Sequence, residues 1–212
     1  MYTPAHFRTD DRAKPTAVIA ANSFATLTTR GANGLTTSHL PFLYDEAAGP
    51  HGTLFAHLAR ANGQWRDFSG APDAEALVVF QGEHGYISPT WYASYATMQH
   101  VPTWNYEAVH AYGVPRVIED AGRTVEVLER TIRRYEAPSS TYSVQSHPAD
   151  FLAKMVKAIV AFEIPVTRLE GKFKLSQNRT REDLAGAIAG LEAAGDPASL
   201  RLAAAMRREN PA

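Results

Sequence analysis

The stretch that decides the fold runs from Phe24 to Tyr44 and reads FATLTTRGANGLTTSHLPFLY. Threonine and aromatic residues dominate both halves, and such residues are frequent in β-strands. Between the halves, Asn33-Gly34 can supply the positive φ angles of a tight hairpin turn. The stretch therefore predicts an antiparallel hairpin. Because Pro41 has no N–H to donate to a neighbouring strand, we expect it at a sheet edge, at a bulge or beside a ligand.

Outward from this hairpin, the pattern predicts further strands and then helices. Apolar or alternating runs predict strands at residues 53–58, 76–81, 104–111 and 158–164. Apolar residues at helical spacing predict helices at 122–135, around Asp150, and twice near the end of the chain. Strands first and helices later indicate a mainly β fold with α decoration (α+β), an antiparallel Greek-key-like β-barrel plus helices. We expect a single domain over 1–212, with 180–212 as its helical C-terminal appendage.

Composition excludes several classes of protein. The 212 residues contain no Cys, so disulfides, thiolate nucleophiles and cysteine-ligated metal sites are impossible. No apolar run reaches the ~20 residues of a membrane span, and the first residues lack the basic segment and apolar core of a secretory signal. We therefore expect a cytoplasmic protein. Lys+Arg 21 against Asp+Glu 22 gives net charge -1, which does not support DNA binding by a general cationic surface.

Sequence motifs do not identify a catalytic residue. The chain has eight His, but no HExxH pair occurs, and His39, His57 and His110 fall on separate predicted strands, so no metal site is indicated. The G-x-S-x-G elbow, the P-loop and the G-x-G-x-x-G turn are also missing. The sequence leaves open whether the protein is an enzyme.

The most informative block is residues 57–62, HLARAN, in which a strand end meets a predicted helical turn. It supplies the imidazole of His57, the guanidinium of Arg60 and, with Asn62 as N-cap, a set of backbone amides. An arginine fork beside such amides suits a phosphate ester. A surface arginine paired with a carboxylate such as Asp67 explains the same spacing, and the sequence does not decide between the two.

Several blocks together resemble the PaiB family of FMN-binding negative transcriptional regulators. They are MYTPAHF at 1–7, HLPF at 39–42, HLARAN at 57–62, YISPTWY at 86–92, VPTWNY at 101–106 with His110, and KLSQNR at 174–179. They lie in the family's order over almost the whole chain. The resemblance implies the FMN-binding split β-barrel fold shared with pyridoxamine-phosphate oxidase and flavin reductases, in a cytoplasmic bacterial protein.

The resemblance also implies a homodimer with two FMN sites at the subunit interface. The strand with Ser38 and His39 is expected to face the isoalloxazine ring. The segment comprising His57, Ala59, Arg60, Ala61 and Asn62 is expected to hold the phosphate, with Arg60 as the main ligand. The partner subunit is expected to contribute Trp104, Lys174, Ser176 and Gln177.

Two positions depart from the family pattern. Family members tend to have Pro at the position of Gly63 and Lys at that of Tyr95, and loss of a lysine removes a positive charge near the cofactor.

The sequence leaves three candidate functions. The first function is an FMN-dependent repressor, with DNA a possible partner by resemblance alone. The second is a flavin-dependent oxidoreductase, of the NAD(P)H:flavin or pyridoxamine-phosphate-oxidase kind. The third is a haem-binding split barrel.

Overall fold

A computed structural model describes residues 1–69 and 74–211, and over these ranges the chain forms nine strands and five α-helices. The strands are β1 Phe24–Gly31, β2 Gly34–Pro41, β3 Leu43–Asp45, β4 Thr53–Ala59, β5 Ala76–Ile87, β6 Thr103–Gly113, β7 Arg116–Val117, β8 Ile159–Pro165 and β9 Arg168–Lys174. The α-helices are α1 Ala13–Ala21, α2 Ala121–Tyr135, α3 Ala149–Lys157, α4 Arg181–Ala194 and α5 Pro197–Glu209. Short 3-10 helices cover Ala5–Phe7, Gly63–Ser69, Pro89–Trp91, Ala93–Ala96 and Val144–Ser146.

The strands form two antiparallel sheets. The five-stranded sheet has the order β2-β1-β5-β6-β9, and the four-stranded sheet has the order β3-β4-β8-β7. The helices decorate the strands, as the sequence pattern predicts, but α1 precedes β1, and α2 and α3 lie between β7 and β8. The predicted fold class, a mainly antiparallel split β-barrel with helices, is confirmed.

The hairpin at the start of the sheet is confirmed, but its turn differs from the prediction by one residue. Strands β1 and β2 pair in register from Phe24 with Pro41 to Gly31 with Gly34, so the connecting residues are Ala32 and Asn33. Positive φ occurs at Gly34, at +99°, and not at Asn33. Glycine immediately after the turn takes the strained angle at little cost, as in a bulged hairpin. Pro41 ends the edge strand, as expected.

The chain divides into two compact units. The first unit comprises Met1–Asn22, Phe80–His110 and Glu170–Ala212, and the second comprises Ser23–Val79 and Ala111–Leu169. In the second unit, the ring of Phe162 on β8 contacts Phe68, with centroids 4.9 Å apart, and the edge of Phe42. In the first unit, α4 and α5 contribute Leu191, Leu202 and Met206, which are almost fully buried.

Helix ends follow the expected capping chemistry in most cases. Asp120 caps α2 by accepting from the N–H of Arg123 at 2.8 Å, Thr180 caps α4, and Asp196 caps α5. Helix α3, predicted around Asp150, begins after Pro148 without a side-chain cap, and Asp150 lies in its first turn. Among the described residues, no helix combines the length and apolar content that a membrane span requires.

Candidate cofactor site

The segment that follows β4 folds through hydrogen bonds of its own residues. The N–H of Arg60 donates to Ala158 O at 2.8 Å and extends the pairing of β4 with β8. Asn62 Oδ1 then accepts from the N–H of Gln64 at 3.1 Å, at the start of the 3-10 helix Gly63–Ser69. The predicted N-cap role of Asn62 is therefore confirmed. The cap fixes the direction in which Gln64 and Arg66 leave the backbone.

The guanidinium of Arg60 binds backbone carbonyls at the junction of α3 and β8. Its Nε donates to Lys157 O at 2.7 Å and its NH2 group donates to Ile159 O at 2.8 Å. The indole N–H of Trp65 in turn donates to Arg60 O at 3.1 Å. The alternative pairing of Arg60 with Asp67 is not seen, since Asp67 accepts from Thr29 Oγ1 at 2.7 Å. Arg60 thus ties the end of β4 to the start of β8.

A cavity of about 790 Å³ lies between the tip of the β1–β2 hairpin and this segment, wholly within the second unit. We call it the hairpin cavity. Its lining residues are Arg30, Gly31, Ala32, Asn33, Thr36, Asn62, Gly63, Gln64, Arg66, Asp67 and Ala74. Residues with guanidinium, amide and hydroxyl groups therefore line one cavity.

Gln64 is the buried polar residue of this cavity, with 2% of its surface exposed. Its Nε2 donates to Thr36 O at 3.0 Å, to Thr29 Oγ1 at 3.1 Å and to Leu27 O at 3.3 Å, and these bonds fix the amide orientation. Its Oε1 is buried and has no hydrogen-bond partner among the described residues. A buried acceptor without a partner costs about 1–3 kcal/mol, so a ligand donor at this atom is favourable.

The structure separates the two residues expected to face the flavin ring. Ser38 and His39 are neighbours on β2, so their side chains leave opposite faces of the hairpin. Ser38 Oγ accepts from Asn62 Nδ2 at 3.0 Å, beside the hairpin cavity. His39 lies on the other face, where its Nδ1 is 3.2 Å from Thr26 Oγ1 and its ring stacks against Phe24.

His57 lies on β4 and is half-buried. Burial lowers the pKa of its imidazole below the ordinary value, so the ring is neutral at pH 7. A neutral imidazole adds no fixed positive charge for a phosphate. Ala59 and Ala61 are exposed on either side of Arg60 and contribute backbone rather than side-chain chemistry.

The residues expected from the partner subunit lie in the first unit, and two of them are in contact. Lys174 Nζ donates to Thr103 Oγ1 and to Trp104 O. Burial, together with the charges of nearby Lys172 and Arg179, lowers the pKa of Lys174. The ring of Trp104 is 55% exposed and meets Tyr86 edge to face.

Ser176 and Gln177 shape the turn after β9. Ser176 has φ +69°, and its buried Oγ accepts from Asn105 Nδ2 at 2.8 Å. Gln177 Oε1 accepts from the N–H of Leu175 at 2.7 Å, while its Nε2 donates to Phe173 O. Both side chains therefore hydrogen-bond to their own unit.

A second polar cluster in the first unit joins Ser94, His100 and Asp183. Ser94 donates to Asp183 through its N–H at 3.0 Å and through its Oγ at 2.8 Å, and His100 Nε2 lies 2.8 Å from the same Oγ. Burial raises the pKa of Asp183, but the hydrogen bonds from Ser94 and the charges of His100 and Arg179 outweigh it and lower the pKa. The carboxylate is therefore ionised at neutral pH.

Sequence reasoning missed Arg30, Thr36, Gln64 and Arg66 as cavity residues. Gln64 and Arg66 lie within the predicted helical turn after Asn62, so that turn placed them near the site without indicating which of its side chains face the cavity. Arg30 and Thr36 enter the cavity only because the hairpin places its tip beside that turn, which local spacing does not encode.

Comparison with known proteins agrees with this architecture. A family model described as "Putative FMN-binding domain" matches residues 1–168. The chain is 32% identical over 207 residues to the protease synthase and sporulation protein PAI 2 of Bacillus subtilis (strain 168), covering 97% of this chain and 96% of that protein. It is also 32% identical over 202 residues to an uncharacterized protein of Emericella nidulans, covering 81% and 80% of the two chains.

Two solved structures share the fold at low sequence identity. The flavocytochrome Anf3 from Azotobacter vinelandii gives a TM-score of 0.60 at 14% identity, covering 84% of this chain and 75% of that one. The FAD and heme binding protein from Mycobacterium smegmatis gives a TM-score of 0.53 at 13% identity, covering 84% and 78%. Fold and family model together define the class, an FMN-binding split-barrel protein. Within that class, the chain belongs to the PaiB family, as the sequence motifs predict.

The residues of the hairpin cavity fit FMN. A flavin mononucleotide brings an anionic phosphate, ribityl hydroxyls and a ring imide N–H. Arg66 supplies positive charge for the phosphate, and Gln64 Oε1 is an acceptor for a hydroxyl or imide donor. A volume of about 790 Å³ lies within the usual range for cofactor sites.

Proposed function

We propose that the protein is a homodimeric FMN-binding regulator of PaiB type that represses transcription. The observation that carries the cofactor assignment is the hairpin cavity, which Arg66 and Gln64 line and in whose wall the Oε1 of Gln64 is buried without a partner. Support for a regulatory role comes from the PAI 2 relative, which is named a sporulation protein and matches over 97% of the chain.

In this proposal, FMN is held by side chains that the segment after β4 positions in advance. Arg66 binds the phosphate, and Gln64 Oε1 accepts one hydrogen bond from the cofactor. Asn62 donates to Ser38 and caps the 3-10 helix, so the cavity wall keeps its shape without the ligand. When bound, FMN supplies redox chemistry at its ring system.

The second subunit of the proposed dimer covers the outer face of the β1–β2 hairpin. On this face Phe24 is 69% exposed and Leu35 is 66% exposed, flanking His39 and the hydroxyl pair of Thr28 and Thr37. Exposed apolar side chains on a hairpin at a sheet edge favour association of two subunits, since the contact removes these side chains from water and covers the edge strand. The face lies on the same hairpin whose tip lines the hairpin cavity.

The first experiment combines a visible absorption spectrum of the purified protein with an FMN titration followed by flavin fluorescence and by mass in solution. We expect saturable quenching at one FMN per subunit in a dimer. The double variant Phe24→Ser/Leu35→Ser should be monomeric, whereas Leu200→Ser, at an exposed leucine on α5, should remain a dimer. A monomeric wild-type protein would refute the dimer, and absence of quenching would refute the assignment of the cavity.

Repression is tested with a fragment of the protein's own upstream region in a gel-shift assay at physiological salt. A direct repressor retards this fragment more strongly than an equally long fragment of unrelated sequence. Equal retardation of both fragments that disappears with salt is electrostatic binding and would contradict direct repression. Steady turnover of NADPH with an electron acceptor would favour the oxidoreductase instead.

A further inference from the structure

The first unit contains a cleft of about 360 Å³ that the FMN site does not use. Helix α1 forms one wall and helix α5 another, with strands β5, β6 and β9 between them, and we call it the α1–α5 cleft. Its lining residues are Lys14, Ala17, Val18, Ala21, Asn22, Glu83, Glu107, Phe173, Ala205, Arg208 and Glu209. The walls thus combine apolar side chains, most of them small, with charged groups.

Glu107 is the unusual residue of this cleft. It projects from the inward face of β6, where only 9% of its surface is exposed. Gly82 makes room for it, because a Cβ at Gly82 would lie 2.8 Å from Glu107 Oε2. A carboxylate in such a position usually has strong partners, since desolvation of an unpaired charge costs several kcal/mol.

The partners of Glu107 are weak. Its Oε2 accepts from the N–H of Glu83 at 3.3 Å, and its Oε1 is 3.9 Å from the guanidinium of Arg208, beyond hydrogen-bond distance. Arg208 itself is 66% exposed, so water screens its charge. Burial raises the pKa of Glu107, and the N–H of Glu83 and the charge of Arg208 only partly oppose this effect.

The other acidic groups of the cleft are better neutralised. Glu209 binds Lys14 at 2.8 Å and accepts from Gln177, and Glu83 pairs with Arg201 at 3.2 Å. Of the three glutamates that line the cleft, Glu107 therefore has the weakest neutralising partners. A cationic group placed against Glu107 would neutralise its charge, and a small apolar body would contact Val18 and Phe173.

We propose that the α1–α5 cleft is a second ligand site, which binds a small organic cation, an ammonium or amidinium on a compact apolar body, through the carboxylate of Glu107. The site is separate from the hairpin cavity, and its occupancy does not depend on FMN. Because the cation pairs with ionised Glu107, affinity should rise with pH as Glu107 loses its proton. The other charged groups that line the cleft are Lys14, Glu83, Arg208 and Glu209.

The test is calorimetric titration of the purified protein with benzamidine, with benzyl alcohol as a neutral probe of similar shape. Benzamidine should bind at least about tenfold more tightly than benzyl alcohol. Glu107→Gln should remove this preference and its pH dependence. Glu192→Gln, at an exposed glutamate of α4 outside the cleft, should bind like the wild type.

Circular dichroism of each variant establishes that it is folded. Ala17→Phe, at an exposed position on the rim of the cleft, narrows the opening without changing the carboxylate and should also weaken benzamidine binding. The proposal is overturned if benzamidine gives no saturable heat, if it binds no better than benzyl alcohol, or if neither variant alters its affinity.

Discussion

Substitution of the two arginines on the segment after β4 separates the roles that the structure gives them. Arg66 lines the hairpin cavity, whereas Arg60 donates to the carbonyls of Lys157 and Ile159. We therefore expect Arg66→Ala to weaken FMN binding and Arg60→Ala to weaken folding. The family resemblance implies the opposite assignment, with Arg60 as the phosphate ligand.

The magnitudes follow from the bonds involved. Loss of a charge-assisted contact to phosphate costs about 1.5–3 kcal/mol, so Arg66→Ala should raise the FMN dissociation constant by roughly 10- to 150-fold. Arg60 makes bonds of 2.7 and 2.8 Å, but it is exposed and water replaces part of them. Arg60→Ala should therefore lower the free energy of unfolding by about 1–2 kcal/mol, or the melting temperature by roughly 2–8 °C.

Flavin fluorescence quenching gives the dissociation constant, and urea unfolding followed by circular dichroism gives the stability of the same variants. Arg66→Lys is the matched control, since it keeps the charge and loses the planar fork, and it should fall between the wild type and Arg66→Ala. The reasoning is refuted if Arg60→Ala loses more than about tenfold in FMN affinity at unchanged stability while Arg66→Ala binds normally.

Three further predictions concern stability. Gly63→Pro should raise the free energy of unfolding by about 0.4–1 kcal/mol in urea titrations, because residue 63 begins a 3-10 helix and the nearest atom to an added Cβ is the flexible end of Arg66. Gly190→Ala should lower it by about 1–3 kcal/mol, because the new Cβ would lie 2.3 Å from the Trp91 ring; an unchanged melting temperature would contradict this packing. Asp183→Asn should lower it by about 1–3 kcal/mol at pH 7. Since the folded pKa of Asp183 lies below its ordinary 3.8, its contribution is present above about pH 4 and lost as pH falls through the folded value, so the difference from wild type should shrink in acid.

Local pattern was sufficient for much of the fold. The threonine-rich halves of residues 24–41 and the alternation on β6 identified strands, and apolar spacing identified α2, α4 and α5. Helix α1 was missed because its sequence, AKPTAVIAA, is rich in small residues without a clear apolar face. Strand β9, RLEGKFK, was missed because four of its seven residues are charged and none is β-branched.

The candidate site was only partly accessible from sequence, because its two walls are distant along the chain. Asn62 could be identified as a cap from the residues beside it. Arg30 enters the cavity through the pairing of β1 with β2, and the unpartnered Oε1 of Gln64 depends on three acceptors at Leu27, Thr29 and Thr36. No spacing rule connects such groups, since long-range pairing alone brings them together.

The cluster of Ser94, His100 and Asp183 shows why residue type and proximity do not define a catalytic site. A serine hydroxyl has one proton, and here it points to the ionised carboxylate of Asp183. His100 must then donate from Nε2 to Ser94 Oγ, and its Nδ1 faces Arg179, which can only donate. The imidazole therefore cannot accept the serine proton, as a nucleophilic triad requires. The bonds instead hold the segment around residue 94 against the start of α4. A Ser94→Ala variant should therefore lose stability, and it should not differ from the wild type in hydrolase activity.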